Sequence, residues 1–150
     1  FSGETINTPS MLCVEDAIDA LRWAEKIGGA KALQQRTQAN FAALVAWEAH
    51  AGWVKFLARD AAYRSPTSVT FKLADPQLAA LPVEEQVAFC KKLADLLEKE
   101  GAANDVNHYR DAPPGLRIWC GATVETADLV ALTPWLDWGF AAVKAGLAAT

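Results

Sequence analysis

Tyr109-Arg-Asp-Ala-Pro-Pro-Gly-Leu-Arg-Ile-Trp-Cys-Gly121 is the stretch that decides how this chain is read. A polar turn stiffened by Pro113 and Pro114 runs into a short apolar strand. Strand side chains alternate between faces, so Leu116, Ile118 and Cys120 share one face while Arg117 and Trp119 share the other. A guanidinium suits a half-buried strand only when it has an anion to meet. Its planar fork matches a carboxylate or phosphate with two parallel hydrogen bonds. Arg117 is therefore a candidate anion receptor. The plainer reading pairs it with a nearby carboxylate such as Asp111 or Glu125, or lets it snorkel to solvent. Arg110 reads more simply as an exposed charge at the strand's approach.

Working outward, Ala103 to Tyr109 reads as a partner strand. Before it, Val87, Cys90, Leu93, Leu96 and Leu97 form an amphipathic stripe over Val83 to Glu100, closed by Gly101. Trp53 to Leu57 and Ser68 to Leu73 alternate as strands, and Asp75-Pro76 stops the second. Downstream, Glu125 to Leu147 is helical, and Pro134 predicts a break, with Thr133 as the cap of a second piece. Two long helices open the chain. The first enters at Asn7-Thr-Pro-Ser10 and ends at Gly28-Gly29, with Leu12, Ala17, Ile18, Leu21 and Trp23 on its packing side. The second runs from about Ala30 to Ala49 through Leu33, Thr37, Asn40, Leu44 and Trp47. The expected fold class is α+β: two long helices, then a two-layer small domain whose mixed, mainly antiparallel sheet is covered by helices. The expected domains are 1–50 and 51–150.

Composition narrows the function classes. The 150 residues are 52% apolar and 21% charged, as in an ordinary globular protein, and carry a net charge of −4. A pI near 5.1 disfavours a nucleic-acid or anionic-membrane surface. No apolar run approaches the roughly 20 residues that span a bilayer. Cys13, Cys90 and Cys120 show no CxxC spacing and read as reduced, mostly buried thiols in a cytoplasmic protein. His50 and His108 have no partner at metal-ligand spacing, so no metal site is expected. Trp23, Trp47, Trp135 and Trp138 read as core or interface packing. Asn7-Thr8 at a helix entry is most simply a cap, although such a terminus can also receive a phosphate. The opening Phe1-Ser-Gly-Glu-Thr-Ile reads as a start in mid-chain, so a fragment of a longer protein is expected.

Several segments occur in a telling order. They are Gly3-Glu-Thr-Ile-Asn-Thr-Pro-Ser10, Ile27-Gly-Gly29, Arg64-Ser65 ahead of Val-Thr-Phe-Lys-Leu-Ala-Asp75, and Tyr109 to Gly121. Together they resemble the C-terminal part of the phosphoserine aminotransferase family, class V, fold-type-I pyridoxal-phosphate enzymes. The resemblance covers essentially the whole chain. It implies that Asn7 and Thr8 contact the cofactor phosphate of the neighbouring subunit in a homodimer. It also implies that Arg117 grips the substrate α-carboxylate. A His-Arg pair that helps bind the substrate phosphate in the family is matched here by Tyr109-Arg110, with one extra residue before Arg117; His108 lies one position further back. The implied reaction moves an amino group from glutamate to 3-phosphohydroxypyruvate, giving phosphoserine and 2-oxoglutarate in serine biosynthesis. A related acceptor in vitamin B6 (pyridoxine) synthesis fits the same resemblance. No lysine here matches the catalytic Schiff-base lysine, so the piece alone is expected to be inactive and not to retain pyridoxal 5'-phosphate. The rival expectation is a stand-alone α+β binding or dimerisation module that recognises a small carboxylate.

Overall fold

The computed structural model describes residues 5–109 and 111–147. They form two compact units that divide between Gln35 and Arg36. In the first unit, α1 spans Met11–Lys26 and α2 begins at Gly29. Gly28 and Gly29 adopt φ of +114° and +69°, the left-handed region that glycine enters without a Cβ clash. The first turn of α1 carries no acidic residue, because Glu15 and Asp16 fall in its second turn. None of its residues is buried, and Met11, Leu12 and Leu21 stand well exposed.

The second unit takes the rest of α2, which ends at Ala51. It continues through β1 (Val54–Phe56), a short 3-10 turn at Ala61–Tyr63, β2 (Ser68–Leu73), α3 (Pro76–Ala79), α4 (Val83–Lys99), β3 (Gly115–Trp119) and α5 (Thr126–Leu147). The sheet order is β1-β2-β3, and both pairings are antiparallel. Alternation sends Val54, Phe56, Val69, Phe71, Leu73, Leu116 and Ile118 to the core face. There they meet Leu44 and Trp47 of α2, Phe89, Cys90, Leu93 and Leu97 of α4, and Leu129 and Leu136 of α5. Lys55, Thr70, Lys72, Arg117 and Trp119 point the other way. The result is the expected α+β class, with a smaller sheet.

Two elements differ from the sequence expectation. Ala103 to Tyr109 is not a strand and contributes a single bridge, Asn107 opposite Leu116. Asp105 turns the backbone into the left-handed region at φ 52°, and Asn107 Oδ1 accepts the His108 N–H at 3.0 Å. Such local side-chain bonds compete with a ladder. The described sheet therefore has three strands and is wholly antiparallel rather than mixed. The second difference is α5, which runs unbroken through Pro134. Proline removes the N–H that would reach the carbonyl four residues back, here Val130. The Thr133 hydroxyl donates to that carbonyl at 3.0 Å and takes the missing donor's place.

Two polar devices hold this unit together. Asn40, fully buried in α2, donates its amide to the carbonyls of Cys120, Gly121 and Val124, and its oxygen accepts from Thr126 Oγ1 at 2.6 Å. This ties the loop after β3 to α2. The Asp137 carboxylate of α5 accepts the indole N–H groups of both Trp47 and Trp53. Trp47 is a core residue, whereas Trp135 and Trp138 remain partly exposed at 42% and 44% and pack edge-on against each other. Among the thiols, Cys90 and Cys120 are buried and Cys13 is exposed. Burial pushes both buried thiols up to about 11.

Candidate functional site

The site is built on β3. Gly115 starts the strand against β2 so closely that a Cβ there would lie 1.8 Å from the Phe71 carbonyl oxygen. That contact fixes the register, which sets Arg117 opposite Thr70 on the face away from the core. Arg117 N donates to Val106 O at 2.9 Å, so the segment before the turn lies alongside the strand. Ahead of the strand, Ala112 N donates to Tyr109 O at 3.0 Å. These backbone bonds bring His108, Tyr109 and Arg117 around one small cavity of about 30 Å³, completed by Thr70, Ala112 and Pro113.

The Arg117 side chain is only 18% exposed. Its guanidinium lies over the Tyr109 ring, 4.7 Å from the centroid, a cation–π contact that orients the plane. Nη2 donates to Asp105 Oδ2 at 2.5 Å. Nε is buried and has no acceptor. The partner is thus neither Asp111 nor Glu125; Glu125 is held by Arg36, whose Nε also donates to Ala122 O. His108 Nδ1 sits 2.8 Å from Asn107 Oδ1, which orients the ring beside the cavity.

The sequence-predicted residues are thereby sorted. His108, Tyr109 and Arg117 share one cavity wall. Arg110 lies outside the described residues. Asn7 and Thr8 belong to the first unit; both are exposed, and Asn7 Oδ1 accepts the Thr8 N–H at 2.9 Å. Sequence reasoning missed Asp105 and Thr70. Asp105 carried a readable signal, since an Asn-Asp pair is a frequent left-handed turn. Thr70 had none until the strands were in register. No group of three metal-binding side chains occurs among the described residues, and no helix among them is long and apolar enough to cross a membrane.

A cavity of 30 Å³ is about the room one water takes, so these residues form a wall rather than a chamber. The larger groove between α3 and α5, about 620 Å³, offers little chemistry. Its one ionic side chain, Lys144, is bonded to Asp75 at 2.6 Å.

The described residues thus define an α+β segment: a small antiparallel sheet backed by helices, with a strand-borne arginine whose Nε is unengaged. Comparison with known proteins finds relatives over nearly the whole of this segment. The chain is 49% identical over 146 residues to phosphoserine aminotransferase of Methanosarcina barkeri (strain Fusaro / DSM 804), covering 96% of this chain and 36% of that protein. It is 49% identical over 144 residues to the phosphoserine aminotransferase of Methanosarcina mazei, with the same shares of each. In shape it is similar to phosphoserine aminotransferase from Bacillus circulans subsp. alkalophilus, with TM-score 0.73 and 21% identity, over 91% of this chain and 34% of that one. A structure describing radiation damage of the Schiff base in phosphoserine aminotransferase matches with TM-score 0.69 at 20% identity, over 91% of this chain and 35% of that one. No protein-family model matches. Over nearly all of its length the chain is thus similar to phosphoserine aminotransferases, and it spans about a third of the length of the relatives it matches.

Proposed function

We propose that this chain is the C-terminal, substrate-clamping part of a pyridoxal-phosphate-dependent transaminase that moves an amino group from glutamate to 3-phosphohydroxypyruvate in serine biosynthesis. The 49% identity across 96% of the chain is the observation that carries this reading. Residues 51–150 form the small domain, and residues 1–50 finish the large cofactor domain and lead across to it.

Arg117 receives the substrate α-carboxylate. Its low exposure, its seat on Tyr109 and its unused Nε give it a fixed direction and a spare donor. Preorganised donors of this kind restrict a substrate to productive orientations. Arg110, Tyr109 and His108 are assigned to the substrate's phosphate end; of these, His108 and Tyr109 line the same wall as Arg117.

Asn7 and Thr8 hold the cofactor phosphate of the neighbouring subunit in a homodimer. They fit that task as an exposed pair of small polar side chains, although they form only an edge of such a site. When bound, pyridoxal 5'-phosphate supplies the electron sink. This stretch supplies binding and orientation, and without the catalytic lysine it does not transaminate or retain the cofactor. The enzyme works in the cytoplasm on phosphoserine, glutamate and their keto acids.

The test is Arg117→Ala in the protein that carries this segment within the full length of its relatives. KM for phosphoserine should rise about 10- to 100-fold, the size of a lost charge-assisted bond pair, with cofactor absorbance retained. An unchanged KM overturns the assigned role.

A further inference from the structure

The Arg117–Asp105 contact uses half of a fork. Nε and Nη2 lie on one edge of the guanidinium and together grip a carboxylate side-on, one N–H to each oxygen. In this chain Nη2 is on Asp105 Oδ2 at 2.5 Å, while the neighbouring Nε is buried without an acceptor. Asp105 does not complete the grip. It is also a poor structural anchor: its side chain is 81% exposed, and its backbone stands at φ 52°, where few residues other than glycine, asparagine and aspartate settle.

We propose that Asp105 is a placeholder carboxylate that occupies one arm of the Arg117 fork in the free site and must leave before a ligand carboxylate can take both arms. This rests on reading Arg117 as the carboxylate clamp. With no ligand, the contact keeps the guanidinium charge satisfied and holds Arg117 in the wall of the small cavity. An arriving carboxylate gains the second bond, to Nε, that Asp105 does not make. Release costs little, because an 81%-exposed carboxylate returns to water. Asp105 thus tunes affinity: it holds the site open-handed and lowers the apparent binding of any single-ended anion.

Calorimetric titration with O-phospho-L-serine of the protein that carries this segment within the full length of its relatives tests this, comparing the unaltered protein with Asp105→Asn, Asp111→Asn and Arg117→Lys. Asparagine tolerates the left-handed backbone, so Asp105→Asn removes the charge and keeps the turn. Asp105→Asn should bind about two- to fivefold more tightly, the weight of one partly exposed ion pair. Asp111→Asn makes the same charge change in the exposed turn and should alter affinity less than about twofold if only general attraction is affected. Equal tightening in both variants, or none in Asp105→Asn while Arg117→Lys still weakens binding, overturns the placeholder and leaves the clamp standing. Unchanged affinity in Arg117→Lys, or no binding by any of these proteins, overturns the clamp and the placeholder with it.

Discussion

At the scale of single residues, two polar side chains in apolar surroundings carry most of the information, and they do opposite things. Arg117 sits on the outer face of its strand with a donor left unused, which is what a binding residue needs. Asn40 sits inside with its amide and its oxygen both engaged, which is what a structural residue needs. Burying a polar group without partners costs about 1–3 kcal/mol. Asn40→Leu keeps the volume but strands the carbonyls of the loop after β3 and the Thr126 hydroxyl. It should lower stability by about 2–4 kcal/mol in urea unfolding, with the slope unchanged. A loss below about half a kcal/mol would mean that the loop finds other donors. Arg117 was legible in the sequence because alternation isolates it among apolar residues. Asn40 was legible only as a member of a helical stripe, since its partners lie 80 or more positions away.

At the scale of elements, the strands and helices with strong periodicity form where their pattern places them. Ser68–Leu73 and Val83–Lys99 are the clearest cases. The two misread elements share one cause: a local rule was met by a partner that the rule does not include. Pro134 ought to break a helix, but the preceding threonine supplies the donor that proline lacks. Thr133→Val retains the shape and removes that hydroxyl, leaving the Val130 carbonyl without a protein donor. We expect a loss of about 1 kcal/mol, read from thermal or urea unfolding, and no such loss if Pro134 is replaced by alanine in the same variant. Ala103 to Tyr109 has a strand's length, but Asp105 turns the backbone left-handed and the Asn107-His108 pair bonds within itself, leaving one bridge to β3. That same kink is what delivers Asp105 to Arg117. The misread element is therefore the one that shapes the candidate site, and its bonding partners could not be seen before the strands were in register.

At the scale of the whole second unit, α5 is fastened back to the end of β2 by the Asp75–Lys144 pair. Asp75 also caps α3, accepting from Gln77 N at 3.1 Å and Leu78 N at 3.2 Å. Burial alone would raise the Asp75 carboxyl; the bond from Lys144, the capping bonds and the Lys144 charge outweigh it and hold it below its usual 3.8. A depressed folded value means that the unfolded chain binds more protons just below the ordinary carboxylate range. Stability is then fully present above about pH 4–5 and is lost as pH falls through the folded value. Asp75→Asn retains a capping oxygen and should flatten that acid limb, measured as midpoint against pH from 5 to 2. An unaltered limb would assign the acid loss to other carboxylates. The fold class and the likeness to phosphoserine aminotransferases were both within reach of the sequence, because 150 residues carry enough ordered motifs. Whether Asn7 and Thr8 act with Arg117 depends on the arrangement of separate units and subunits, which no local pattern encodes.

The central claim is that Arg117 is the carboxylate clamp of a phosphoserine aminotransferase. A crystal structure of the protein spanning its relatives' full length, with pyridoxal 5'-phosphate and O-phospho-L-serine bound, tests it most directly. The account predicts the ligand carboxylate at about 2.7–3.1 Å from both Nε and Nη2 of Arg117, with Asp105 turned away to solvent. A ligand carboxylate bound elsewhere, with Arg117 still on Asp105, would contradict it.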